Sequence, residues 1–186
     1  MKYVQLPCLM ALPLLLAACG AGSGADNSLS FAELEDQGVS LADRFSDLSP
    51  PTPTELPSGS ATYTGFAAFV LDRNRSGDFS DADIRSTVFV SVGFDDATTA
   101  GRFDNFRSAD GTTLRGTVGW DESTFPTCCS YRAEATGSLS DGRDIEVRVI
   151  GFFRGDAAEF MIGNAAGSYD GPNGSGTIEG IFVAEQ

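Results

Sequence analysis

From Ala61 to the C-terminus the sequence alternates apolar and polar residues in short runs. Nearly every run contains a glycine, at Gly65, Gly93, Gly101, Gly116, Gly137, Gly151, Gly163 and Gly180. Period-two alternation marks strands with one buried face. Glycine weakens a flat open sheet, but it suits a small closed one, where strands bend and backbones approach closely. The expected fold is therefore all-β, an eight-stranded antiparallel up-and-down barrel, with short loops joining successive strands. Such a barrel has room inside for its own side chains or for one small ligand, and alternation alone does not separate the two.

The predicted strands are Ala61 to Leu71, Ser86 to Phe94, Thr98 to Phe106, Leu114 to Trp120, Tyr131 to Leu139, Ile145 to Phe153, Ala158 to Ser168 and Thr177 to Ala184. One face of the second carries Val88, Val90 and Val92, and one face of the sixth carries Ile145, Val147, Val149, Gly151 and Phe153. Asp141-Gly142 reads as a two-residue hairpin turn, since both residues tolerate positive φ. The stretch Asp121 to Ser130 reads as a long connection.

Ahead of the barrel the texture changes. Ser30 and Glu33 form a capping-box pattern, and Phe31, Leu34, Leu41, Phe45 and Leu48 recur at helical spacing, with a break expected at Gly38. A short helix lying on the barrel and a weakly helical linker both fit. Pro50, Pro51, Pro53 and Pro57 then stop any helix and stiffen the chain. The N-terminus places Lys2 before an apolar run, Leu6 to Leu16, which leads into Leu16-Ala17-Ala18-Cys19. This resembles a bacterial lipoprotein signal peptide, which implies cleavage before Cys19 and acylation of its thiol with palmitate-type chains. The apolar run is shorter than the roughly 18 residues of a spanning helix. The expected organisation is signal peptide 1–18, tether with a short helical segment and Pro-rich linker 19–56, and barrel 57–186.

Charge narrows the partners. The chain has 26 acidic and 12 basic residues. Loss of Lys2 with the signal leaves 26 against 11, a net charge of −15. That excludes nucleic acid, which needs a basic face, and leaves acyl chains as the membrane contact. There is no histidine, so the commonest general base and the commonest transition-metal ligand are both missing.

Three segments carry a further resemblance: Leu56-Pro57-Ser58-Gly59-Ser60-Ala61-Thr62-Tyr63-Thr64-Gly65, then Phe153-Arg154-Gly155-Asp156-Ala157-Ala158-Glu159 with Gly163 behind it, and finally Gly180-Ile181-Phe182-Val183-Ala184. In that order they resemble the barrel domain of transferrin-binding-protein-like surface lipoproteins. The resemblance implies an eight-stranded barrel on an anchored lipoprotein. Transferrin binding does not follow from it. The sequence has one barrel and no handle domain, and Asp156 stands where the family usually has proline.

The segment Asp72 to Asp83 matches the spacing of a calcium loop. Asp72, Asn74, Ser76, Asp78, Ser80 and Asp83 supply oxygen at successive ligand positions, with Gly77 where the backbone turns sharply. Asp83 in place of the usual closing glutamate, together with Arg73 and Arg75, implies weak Ca²⁺ affinity, about 10⁻⁴ M or worse. The same residue types also build ordinary polar turns. Cys128-Cys129 are the two thiols left once Cys8 is removed and Cys19 acylated. A vicinal disulfide fits an oxidising compartment, and two half-buried free thiols fit as well.

No nucleophile motif is present and no imidazole is available to activate one. The functional expectation is a non-enzymatic binding module on a lipid-anchored outer-membrane protein, facing periplasm or cell surface. Its partner would be a protein met at the barrel rim loops, in a metal- or cofactor-uptake setting, with no organic cofactor. The alternatives are a purely structural envelope lipoprotein or a carboxylate-based hydrolase.

Overall fold

The computed structural model describes residues 29–52, 56–72, 80–125 and 129–186. One helix, α1 (Phe31–Phe45), precedes strands β1 (Ser60–Leu71), β2 (Ile84–Gly93), β3 (Thr98–Ser108), β4 (Thr113–Leu114), β5 (Gly116–Thr124), β6 (Ser130–Leu139), β7 (Asp144–Arg154), β8 (Phe160–Gly171) and β9 (Gly174–Glu185). β4 and β5 are one stave interrupted at Arg115, since Leu114 and Val118 both pair with β3, opposite Phe106 and Phe103. The result is a closed eight-stranded antiparallel barrel. Each strand pairs with its neighbour in sequence, and β9 returns to β1, with Gly65 opposite Ala184 and Phe69 opposite Gly180.

The inward positions fill the barrel. Tyr63, Phe103, Phe153 and Met161 are fully buried, and their neighbours Phe69, Phe106, Trp120, Tyr131 and Phe182 are almost so. Rings meet along the axis: Phe103 lies 5.9 Å from Phe182 and 6.0 Å from Trp120, which stacks on Tyr131 at 6.0 Å, and Tyr131 lies 6.4 Å from Phe153. Four strand glycines make room for this. Gly101, Gly151, Gly163 and Gly180 stand directly opposite Trp120, Tyr131, Phe182 and Phe69 on adjacent strands, and a methyl on any of them would enter the facing ring. The interior is thus a packed core rather than a ligand pocket.

Helix α1 is continuous. The expected break at Gly38 does not occur, because Gly38 falls on the same buried stripe as Leu34, Leu41 and Phe45, and packing against the barrel outweighs the ~1 kcal/mol that glycine costs a helix. Its start is closed by the capping box: the Glu33 N–H donates to Ser30 Oγ at 3.2 Å and the Ser30 N–H donates to Glu33 Oε2 at 2.8 Å. The helix lies outside the barrel, where Leu41 and Phe45 cluster with Ala68, Ala82 and Val183.

Two connections differ from the sequence reading. β5 continues to Thr124, so the segment expected to loop from Asp121 to Ser130 begins only at Phe125. Ser123 and Thr124 stay paired to β3, opposite Thr99 and Thr98. At Asp141-Gly142 only Gly142 has positive φ, at 85°. The turn is longer than two residues, with the Leu139 N–H donating to the Arg143 carbonyl at 2.8 Å and the Gly142 N–H to the Leu139 carbonyl at 2.9 Å.

Candidate functional site

The connections divide into two rims. The lower rim carries the β1–β2, β3–β4, β6–β7 and β8–β9 turns. The upper rim carries the β2–β3, β5–β6 and β7–β8 connections and both ends of the barrel. α1 climbs from lower to upper. Near its start, Arg107 Nε donates to the Leu29 carbonyl at 2.9 Å, while the buried Arg85 donates to the Phe31 carbonyl at 3.1 Å, pairs with Glu35 at 2.9 Å and lies 3.7 Å over the Phe31 ring. Burial lowers the Arg85 pKa, and the adjacent Glu35 carboxylate opposes that shift. At the far end Arg44 pairs with Glu185, and the Phe45 ring sits 4.6 Å from that of Phe160.

The β7–β8 turn shapes the upper rim. Gly155, at φ 83°, donates its N–H to the Ser49 carbonyl at 3.0 Å, tying the chain that follows α1 to the barrel. Ala158, buried and at φ 55°, turns its carbonyl inward to accept from Tyr63 Oη at 2.5 Å. Burial, and then the charge of Glu159, raise the Tyr63 pKa, so it stays a donor. Glu159 folds back to accept from the Ala157 N–H at 3.2 Å. The glycine, second alanine and glutamate of this turn therefore each have a local structural task.

Beneath this turn an apolar groove of about 860 Å³ runs between α1 with the following segment, including Val39, Phe45, Leu48 and Pro50, and the outer wall at Phe152, Ile162, Ile181 and Val183. Val39 and Phe152 are the two large apolar side chains left exposed among the described residues, at 38% and 37%, and both line it. Asp43 and Arg154 stand among the lining residues. The sequence reading followed the inward face and missed this site. The signal was on the other face, where Phe152, Phe160, Ile162 and Ile181 take outward positions that alternation assigns to polar residues.

The sequence-derived candidates lie elsewhere. Cys19, Asn74, Ser76, Asp78 and Cys128 fall outside the described residues. Asp72 follows β1 at the lower rim with φ 54° and accepts from Tyr169 Oη at 2.5 Å and the Thr177 N–H at 3.0 Å. That hydrogen bond raises the Tyr169 pKa. Asp83 accepts from the Leu71 N–H at 2.9 Å, so both carboxylates fasten the ends of the loop they flank. The Ser80 carbonyl accepts from Arg85 at 3.4 Å. Among the described residues no three carboxylates or thiols converge on a metal position. Cys129 is disulfide-bonded. Its sulfur lies 2.8 Å from the Pro51 carbonyl oxygen, a contact rather than a hydrogen bond, because a disulfide sulfur has no proton.

No family model matches the chain, and no curated protein sequence matches it significantly. Among solved structures, transferrin-binding protein B from Haemophilus parasuis, described as a vaccine antigen, superposes with TM-score 0.50 at 20% identity. The match covers 74% of this chain and 28% of that one. This chain carries a transferrin-binding-protein-like barrel. The corresponding protein from serogroup B Neisseria meningitidis superposes with TM-score 0.47 at 18% identity over the same shares. The transferrin-binding-protein-like barrel thus spans a little over a quarter of the proteins it matches, and the likeness is one of fold. The three sequence segments that suggested it form the entry to β1, the β7–β8 turn and β9.

Proposed function

We propose that this is a lipid-anchored protein of the bacterial outer membrane whose barrel works as a non-enzymatic binding module, presenting its upper rim and the groove beneath it to a protein partner. The observation that carries this reading is the exposure of Val39 and Phe152 in one groove, while the barrel interior is filled. Large apolar side chains exposed together mark interaction surfaces. The outer wall supports a water-facing barrel, since mid-strand positions bear ion pairs such as Arg148 with Glu134 at 2.9 Å, which a lipid-facing band excludes. A lipid on Cys19 would reach Leu29 through residues 20–28, a span of at most ~36 Å. The lower rim would then face the membrane and the groove would open away from it. Transferrin is what the fold neighbour's name records. One barrel of that size does not import the whole protein's partner, so metal or cofactor uptake is the setting to examine first.

Two accessories belong to this reading. Calcium bound by the 72–83 loop would brace the lower rim. Cys128 would be the disulfide partner of Cys129, because Cys8 leaves with the signal and Cys19 is acylated; intact mass after alkylation without reductant should then show no added group. For the anchor, Cys19→Ser should abolish acyl mass and membrane fractionation, and unchanged fractionation would remove it.

Binding is tested by using the domain as bait in envelope extracts. Wild type should retain a partner that Val39→Asp with Phe152→Asp does not, at unchanged melting temperature. A second reading, a purely structural envelope lipoprotein, is favoured by the same filled interior. It stands if neither wild type nor variant retains a partner.

A further inference from the structure

The barrel wall is parted along one seam. β6 pairs with β7 from Ser130 to Ser138 without a break, but with β5 only where Gly116 to Gly119 face Leu139 to Thr136. Beyond Gly119, β5 follows β3 alone, through a register shift between Thr99 and Gly101. Stacked inside this seam, the Trp120 ring leans over Gly101 on β3 and the Tyr131 ring over Gly151 on β7, each toward the neighbour away from the seam. Among the described residues one side-chain bond crosses the parted stretch, from Ser123 Oγ to the Arg132 carbonyl at 2.7 Å. A cleft of about 620 Å³ opens there, lined by Trp120, Asp121, Glu122, Ser123, Ala133 and Glu134 among others. Trp120 is 5% exposed, and its indole N–H has no partner among the described residues.

We infer that this seam is a docking site for an extended basic segment of a partner protein. Strand edges facing each other without a ladder offer main-chain donors and acceptors to an added strand. Asp121 and Glu122 supply the complementary charge for lysine or arginine side chains, joined by Glu134, whose carboxylate also pairs with Arg148 at 2.9 Å, and this favours that partner and selects against acidic ones. The site is separate from the groove, with the fully paired β6–β7 ladder between them.

Trp120 is the chain's single tryptophan and lines the cleft, so its emission reports the site directly. The purified full chain is titrated with an end-blocked peptide of alternating lysine and valine, with its glutamate–valine counterpart, and with a lysine–valine copy N-methylated on alternate amides. The first should change Trp120 emission saturably. The glutamate peptide should not bind, and N-methylation should weaken binding at least ten-fold. Glu122→Gln with Glu134→Gln should weaken it several-fold, whereas Phe152→Asp, on the groove, should leave it unchanged. No saturable response, equal binding of the N-methylated peptide, or loss on Phe152→Asp would each overturn the assignment. Hydrogen exchange supplies a second check without a ligand. Those amides of 121–124 that point away from β3 toward the seam should exchange at least ten-fold faster than those of 147–152, and equal protection would close the seam.

Discussion

Tyr131 stands directly opposite Gly151 across β6 and β7, and its ring occupies the space where any side chain at Gly151 would project. Gly151→Ala should therefore overpack the core and cost about 1–3 kcal/mol. Urea denaturation checks this, and an unchanged midpoint would mean that the ring has somewhere else to go.

The same ring carries a hydroxyl that is buried without a hydrogen-bond partner among the described residues. Burial raises its pKa, so the group is a neutral phenol at any ordinary pH. Removing an unpaired buried polar group relieves its desolvation cost, so Tyr131→Phe should be neutral or stabilise by up to ~1 kcal/mol. A loss larger than that would show that the hydroxyl has a partner, for instance an internal water.

At the foot of α1, Arg85 is 1% exposed while its partner Glu35 is 32% exposed. Removing the carboxylate takes the closest anionic partner from a buried cation that keeps its bonds to the Phe31 and Ser80 carbonyls, whereas Arg85→Met keeps the apolar stem and removes the need for a counter-charge. Glu35→Ala should cost about 1–2 kcal/mol, toward the low end for a buried pair because solvent screens the exposed partner. Arg85→Met should cost less, and adding it to Glu35→Ala should recover part of the loss. Thermal unfolding of the three variants decides, and simple additivity would argue against a coupled pair.

The β-barrel was legible because its inward face is written plainly: Val88, Val90 and Val92 on one strand, Ile145, Val147 and Val149 on another, with glycines at regular places. What alternation does not encode is which residue each glycine faces. Gly101, Gly151, Gly163 and Gly180 serve four particular rings on adjacent strands, and that depends on register. Register also decided the end of β5: Asp121 to Thr124 look like a polar loop in sequence, yet pair with β3 across a shifted ladder. Gly38 misled for a related reason, since propensity favours a break and tertiary packing overrides it. The groove escaped notice because it is made by outward residues of three strands and by a helix far away in sequence.

For the loop 72–83, the two flanking carboxylates already hold backbone and phenol groups, so substitution there has two effects that need separating. Asp72→Ala should lower stability without metal by about 1–2 kcal/mol, through loss of its bonds to Tyr169 and Thr177. If calcium binds, millimolar Ca²⁺ should raise the wild-type melting temperature more than Mg²⁺ does, by mass action on the folded state. Asp72→Ala with Asp83→Ala should erase that increment. Equal responses in wild type and double variant would leave the loop an ordinary turn.

The central claim is that a protein partner meets the barrel at the groove under the upper rim. Its most direct measurement is photo-crosslinking on intact cells, with a benzophenone-bearing residue placed at position 152 in the groove or at Glu146, exposed on the same strand nearer the lower rim. A discrete protein adduct from position 152 and none from position 146 is the result expected. No adduct from either position, or the same adducts from both, would contradict the groove as the binding face.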